Sequence, residues 1–149
     1  PKAEFGGTGL RSKYSGWAFA ISAGLFVIGP AAQANAIYEC TMNDETTNRG
    51  WVPTKVVVSY DPGAQKALVS DELILSVFGE PRLVDIRADT EKRLTLEWEL
   101  SLQSRSGLRV GFSYLLKIQK QTKTAVINAF PKLYSDRFGS TGTCKVMAD

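Results

Sequence analysis

The sequence predicts an all-β domain, a single antiparallel meander that forms a small β-barrel or sandwich of about 7–9 strands. From position 37 onward, apolar residues recur mainly with a period of two, and β-branched and aromatic residues are frequent. Turn-like stretches separate these runs at short intervals, and no helical pattern of about ten residues occurs. One cysteine lies near each end of this region, so a single disulfide is expected to close the domain.

Two consecutive runs in the middle of the chain are predicted to form the central hairpin. Residues 94–103 and 108–120 alternate between apolar and polar positions, which indicates one face in the core and one face in water. The predicted core residues on the inner face are Leu94, Leu96, Trp98, Leu100, Val110, Phe112, Tyr114 and Leu116.

The loop of this hairpin determines its register. A symmetric four-residue loop at 104–107 would place Trp98 opposite Ser113, a core residue against a solvent-facing one. We therefore expect a loop of three or five residues, or a bulge near Gly107 or Gly111.

Six shorter runs are predicted to be strands by the same reasoning, namely residues 38–42, 55–60, 67–70, 83–88, 124–130 and 142–146. Residues 73–78 (LILSVF) fit either a strand or a short helical turn that closes one end of the barrel. The preceding acidic cluster, Ser70-Asp71-Glu72, fits a turn or a helix cap better than a calcium site, because the ligand spacing of an EF-hand is absent.

Two short motifs have structural interpretations. Residues 51–53 (Trp-Val-Pro) are predicted to form a hydrophobic plug at a barrel end. Residues 139–142 (Gly-Ser-Thr-Gly) are predicted to form a tight turn that brings Cys144 to Cys40. A phosphate-binding loop would continue with Lys-Ser or Lys-Thr and then a helix, and no such sequence follows residues 139–142.

The N-terminal part of the chain has the pattern of a secretory signal peptide. Three basic residues lie among residues 2–13, and residues 17–28 form an uncharged apolar run. A small-x-small pattern at Ala34 and Ala36 predicts cleavage after Ala36, which leaves Ile37 as the mature N-terminus. The alternative is an uncleaved membrane anchor. A spanning helix needs roughly 20 apolar residues, and the run at residues 17–28 is shorter than that.

Residues 1–36 are thus interpreted as a signal peptide or anchor, and residues 37–149 as the β-domain, which is exported to the periplasm or secreted. With a retained leader, the protein would be anchored in the inner membrane through residues 17–36 and face the periplasm. The leader carries a net charge of +2, so residues 37–149 retain only +1 of the total +3. The alkaline pI is therefore no evidence for an anionic partner such as nucleic acid.

The chain contains no histidine and only two cysteines. This composition excludes the serine–histidine–acid triad, the cysteine–histidine pair and metal sites built on imidazole. Because Cys40 and Cys144 do not form a CxxC pair, a structural disulfide is expected, which would contribute about 4–5 kcal/mol in the chain-entropy model. We predict that the protein is not an enzyme and has no cofactor and no metal.

Two charged sets were weighed as candidate sites. Glu97 and Glu99 share one strand face, about 6–7 Å apart, which invites comparison with the carboxylate pair of glycosidases. We interpret them as solvated and balanced by Lys117 or Arg109 across the hairpin. The other set combines basic and aromatic residues of the kind that a nucleic-acid site would use, namely Lys117, Lys120, Lys123, Lys132, Arg137, Tyr60, Tyr114, Phe130 and Tyr134. We interpret the basic residues as solubilising charge and expect no nucleic-acid partner.

A sequence pattern covers nearly all of residues 37–149, consisting of Tyr38-x-Cys40, Trp51-x-Pro53, Val56-Val57-Val58, Val69-Ser70-Asp71, Trp98, Tyr114, Pro131, Tyr134 and Gly142-x-Cys144. With the leader, it resembles a group of small uncharacterised exported proteins of alphaproteobacteria, a likeness that implies no activity. Tyr38-x-Cys40 and Cys144 alone are more loosely similar to periplasmic barrel-type lysozyme inhibitors, which implies the architecture only.

These observations favour a non-enzymatic exported β-domain that acts as a binding module or accessory subunit in the bacterial cell envelope. The alternatives are a small-ligand carrier, a lysozyme or protease inhibitor that acts through a protruding loop, and a membrane-anchored subunit of an envelope complex. A filled barrel interior would favour a binding module, whereas a cavity on the order of several hundred cubic ångströms would favour a carrier.

Overall fold

The computed structural model describes residues 24, 35–43 and 45–148, in which eight antiparallel strands close into one barrel. The strands are β1 (Ala36–Met42), β2 (Lys55–Tyr60), β3 (Lys66–Asp71), β4 (Arg82–Asp89), β5 (Arg93–Gln103), β6 (Arg109–Gln119), β7 (Thr124–Pro131) and β8 (Phe138–Ala148). Each strand pairs with its neighbours in sequence, and β8 pairs with β1. The all-β prediction is confirmed, with a barrel as the architecture.

The leader prediction falls almost entirely outside the described residues. Ala34 is one of the residues outside them, whereas Ala36 and Ile37 begin β1 and pair with both β2 and β8. Within the described part of the chain, no helix is long and apolar enough to cross a membrane.

The two ends of the barrel differ. At the helix end lie the loops 43–54, 104–108 and 132–137 together with the one α-helix of the described residues, α1 (Glu72–Phe78), and the first of these loops includes a short 3₁₀ helix at Thr46–Asn48. At the turn end, the strands are joined by the connections 61–65, 90–92 and 120–123.

Side chains from all strands fill the barrel interior. The eight core residues named from the sequence are all buried, and Leu94, Leu96, Tyr114 and Leu116 are completely inaccessible. The Tyr114 hydroxyl donates a hydrogen bond to the Trp51 carbonyl at 2.7 Å, and the Trp51 ring lies 4.8 Å from that of Phe112. The predicted plug at residues 51–53 is therefore present at the helix end.

The central hairpin has the register that the alternation requires. Trp98 lies opposite Tyr114 rather than Ser113, and their rings stack at 5.7 Å. The pairing ends at Gln103 and Arg109, which leaves a five-residue loop, one of the expected solutions. Gly107 in this loop has φ +86°, a conformation that favours glycine.

Helix α1 resolves the ambiguity of residues 73–78 in favour of a helix. Asp71 is its N-cap, with Oδ1 accepting hydrogen bonds from the amides of Leu73 and Ile74. Gly79 ends the helix with φ +75° and donates its N–H to the Leu75 carbonyl. The completely buried Ile74 closes the helix end of the barrel.

The disulfide between Cys40 and Cys144 is confirmed. The two cysteines lie directly opposite each other on β1 and β8, so the bond crosses the pair of strands that closes the barrel. A disulfide indicates an oxidising, exported compartment.

The prediction of a tight turn at residues 139–142 is wrong, because these residues belong to β8, which begins at Phe138. The glycine is required for a different reason. A Cβ atom on Gly142 would lie 2.8 Å from the Cα of Met42 and closer still to the Thr41 carbonyl oxygen. Gly142 thus permits the close approach of β8 to β1 beside the disulfide.

The N-cap Asp71 is expected to make stability depend on pH. Burial raises the pKa of its carboxyl from 3.8 to about 6, although hydrogen bonds from Ile74 and Leu73 oppose the shift. The folded state therefore binds the proton more tightly than the unfolded state, and this stabilisation is complete below pH 3.8 and lost as the pH rises through about 6. Between pH 5 and pH 7 the free energy of unfolding should fall by about 1 kcal/mol through this group.

The substitution Asp71→Asn retains an oxygen for the cap and removes the charge, so urea unfolding should show a smaller difference between pH 5 and pH 7. Asp85→Asn is the control, because Lys66 lowers the pKa of that exposed carboxyl. The stabilisation that Asp85 provides is therefore lost at low pH, the opposite direction to that of Asp71. An unchanged pH dependence in Asp71→Asn would contradict the assignment.

Candidate functional site

The barrel wall is open between β4 and β5 at the helix end. These strands pair only from Asp85 with Glu97 to Asp89 with Leu94, with an irregularity between Ile86 and Ala88. Within the described chain, residues 82–84 pair with β3 alone, and residues 98–100 pair with β6 alone. We call these two facing, unpaired edges the open seam.

A cleft of about 440 Å³ occupies the open seam. Its lining residues come from α1 and from both edges, and include Ile74, Phe78, Leu83, Val84, Trp98 and Leu100. Helix α1 therefore positions one wall of the cleft, and the caps at Asp71 and Gly79 determine where that wall begins and ends.

Trp98 lines the cleft with an indole that is almost entirely buried. The residue is only 7% exposed, and its Nε1 is buried with no hydrogen-bond partner among the described residues. An unpaired buried donor costs about 1–3 kcal/mol. The indole is also fixed by its stacking on Tyr114.

The charged residues around the cleft are paired with one another. Lys66 binds Asp85 at 2.7 Å, Arg87 binds Glu97, and Lys132 binds Glu99 at 2.8 Å. Each glutamate of the proposed solvated pair has its own cation, Arg87 for Glu97 and Lys132 for Glu99.

The predicted partners of these glutamates were wrong. Lys117 lies opposite Thr95, and Arg109 lies opposite Gln103, so neither faces Glu97 or Glu99 across the hairpin. The partners come instead from β4 and from the loop 132–137, because the register places small or apolar residues opposite both glutamates.

Exposed apolar side chains surround the mouth of the open seam. Leu83 is 66% exposed and lies opposite the exposed Leu68 on the outer face of β3 and β4. Phe78 and Leu75 of α1 are exposed as well, and the Arg82 guanidinium lies 4.2 Å from the centre of the Phe78 ring. Clustered exposed apolar groups are typical of interaction sites.

The aromatic residues weighed for nucleic-acid binding do not form a stacking surface. Tyr60 and Tyr114 are buried, and Arg137 covers the ring of Phe130 at 5.4 Å. Lys120 is also engaged, because it pairs with Asp89 and lies 5.7 Å from the centre of the Tyr60 ring. That cluster helps to close the turn end of the barrel.

Among the described residues, no group of three or more cysteine and acidic side chains is arranged to hold a metal ion. The chain matches no protein-family model, no curated protein and no solved structure.

Sequence reasoning missed the open seam. The alternation around Trp98 and Val84 shows which side chains face inward, but it contains no signal for where two strands stop pairing. The one available hint is the short segment Gly79-Glu80-Pro81, which ties the start of β4 to the end of α1.

Proposed function

We propose that this protein is a non-enzymatic exported binding module whose open seam accepts an extended, mainly apolar segment of a partner protein. The observation that carries the proposal is the pair of unpaired strand edges, residues 82–84 and 98–100, facing each other across a cleft. Unpaired edges are templates for strand addition.

The size of the seam determines the length of the bound segment. Three residues on each edge extend over roughly 10 Å, which suits a paired segment of about three residues. Its backbone would pair with one or both edges, beside the indole of Trp98.

The charges around the cleft determine the character of the segment. Since the cations and carboxylates of the rim already neutralise one another, a charged segment would gain little there. Apolar side chains, in contrast, would cover the exposed Leu83 and Phe78 and remove them from water.

The filled interior supports a binding module over a small-ligand carrier, since large side chains such as Phe112 and Tyr114 occupy the centre of the barrel. The proposal places the protein in the periplasm or outside the cell, with cleavage after Ala36. Intact-mass measurement of native material tests that cleavage, and a retained leader would instead favour a membrane-anchored subunit.

Selection of short random peptides on the immobilised protein, followed by titration of a selected peptide, tests the seam. We expect the peptide to change tryptophan fluorescence and to slow hydrogen exchange at residues 82–84 and 98–100. The same peptide with N-methylated backbone amides should bind at least about tenfold more weakly, because it has lost the donors that pair with the edges.

The variant Leu83→Lys should weaken peptide binding, whereas Leu133→Lys should leave it unchanged, because Leu133 is an even more exposed leucine but lies on the loop 132–137, away from the seam. Equal binding of the methylated peptide, or equal loss in both variants, would refute strand addition at the seam.

A hydrolase inhibitor is the second candidate. The loop 132–137 protrudes with Leu133 at 83% exposure and with an exposed Tyr134, which suits insertion into an enzyme cleft. Lysozyme and protease rates measured with and without the protein, and with Leu133→Lys, test this candidate. Unchanged rates with the wild-type protein would eliminate it for those enzymes.

A further inference from the structure

We propose that a second site, separate from the open seam, binds a small amphipathic anion that carries phosphate or carboxylate groups. The site is a groove of about 520 Å³ between loop residues 49–51, α1 and the hairpin of β5 and β6. Arg49, Arg105 and Arg109 line it, and we call it the arginine groove. Helix α1 contributes Leu73, Ser76 and Val77 to this groove, whereas Ile74 and Phe78 line the open seam.

The three arginines are exposed and have no ion-pair partner within the described part of the chain. No carboxylate lines the groove. The first acidic residue of α1, Glu72, is engaged elsewhere, because its Oε1 accepts hydrogen bonds from the amide and hydroxyl of Thr54.

This charge distribution differs from that of the open seam, where every carboxylate of the rim has a cation. A guanidinium cannot lose its proton at physiological pH, so the groove keeps three positive charges. Residues 37–149 together have a net charge of only +1, so this positive charge is local to the groove. Guanidinium groups bind phosphate and carboxylate groups through paired hydrogen bonds, and a multivalent anion would relieve the repulsion among the three.

The remaining lining indicates that the ligand has an apolar part. Leu73, Val77 and the half-buried Trp51 form an apolar wall, and Phe112 packs against the Trp51 ring and holds it in place. A volume of about 520 Å³ lies within the range of small-molecule sites. An anionic head with a short alkyl or ring portion fits both halves of this groove.

Calorimetric titration with octyl phosphate and with inorganic phosphate tests the groove. We expect octyl phosphate to bind more tightly than phosphate, because its chain contacts the apolar wall. Arg105→Gln and Arg109→Gln should each weaken octyl phosphate binding about tenfold, and added salt should weaken it as well.

Arg93→Gln is the matched control, since Arg93 is also an exposed arginine but lies at the turn end of the barrel. Leu83→Lys separates this site from the open seam and should leave octyl phosphate binding unchanged. Equal weakening by Arg93→Gln, equal affinity for both phosphates, or no binding would overturn the proposal.

Sedimentation with phosphatidylglycerol vesicles, compared with phosphatidylcholine vesicles, distinguishes a lipid headgroup from a free anion. Binding to phosphatidylglycerol that Arg109→Gln abolishes would identify a membrane surface as the source of the anion. Octyl phosphate binding without vesicle binding would identify a soluble ligand.

Discussion

Replacement of Cys40 and Cys144 together by alanine should lower the free energy of unfolding by about 4 kcal/mol. The bond joins residues 104 positions apart and therefore restricts the unfolded chain strongly. It also joins β1 to β8, the contact that closes the barrel and that is made between the most distant strands in the sequence. Urea unfolding of the oxidised wild-type protein and the double variant measures the difference.

Reduction provides the control for this experiment. Wild-type protein treated with a reductant should lose a similar amount of stability, and the double variant should not respond to the reductant. If the free energy of unfolding of the double variant were within about 1 kcal/mol of that of the oxidised wild type, closure of the barrel would not depend on the disulfide.

The substitution Gly142→Ala should destabilise the protein by about 3 kcal/mol. Gly142 lies in β8 between Met42 of β1 and Ala125 of β7, so an added methyl group would meet the backbone of β1. Backbone on both sides is held in the barrel by hydrogen bonds, and β8 must therefore shift away from β1 near the disulfide.

Gly111→Ala is the matched control for Gly142→Ala, because it places the same methyl group on another strand of the barrel. There the Cβ would meet only the flexible side chain of Lys132, at 3.3 Å, and the expected loss is below about 1 kcal/mol. Similar urea midpoints for the two variants would contradict the close approach of β8 to β1.

The closing strands and the open seam lie in different parts of the barrel wall. Between β1 and β8, a disulfide and a glycine bring the backbones together over a register of seven residue pairs. Between β4 and β5, pairing stops at Asp85 and Glu97 and leaves the two unpaired edges at which we propose that a partner segment binds. A firmly closed barrel can maintain such an opening because the closure stabilises the chain as a whole.

Much of the fold follows from local patterns in the sequence. The alternation around Trp98 and Tyr114 specifies the faces of the central strands, and it requires a loop of three or five residues or a bulge, because a shift of one residue would turn every core side chain outward. The cysteines near the two ends indicate one disulfide, and the polar cluster Ser70-Asp71-Glu72 fits a turn or a helix cap, of which the structure shows the cap at Asp71.

Only the tertiary structure decided the sites and the role of the glycines. The open seam lies where α1 and the facing edges of β4 and β5 line one cleft, and the arginine groove brings Arg49 together with Arg105 and Arg109, which lie more than 50 residues further along the chain. Gly142 was misinterpreted as part of a turn, since a sequence does not contain the distance between two backbones. A period of two determines which way a side chain points, whereas the neighbour it meets depends on contacts between distant segments.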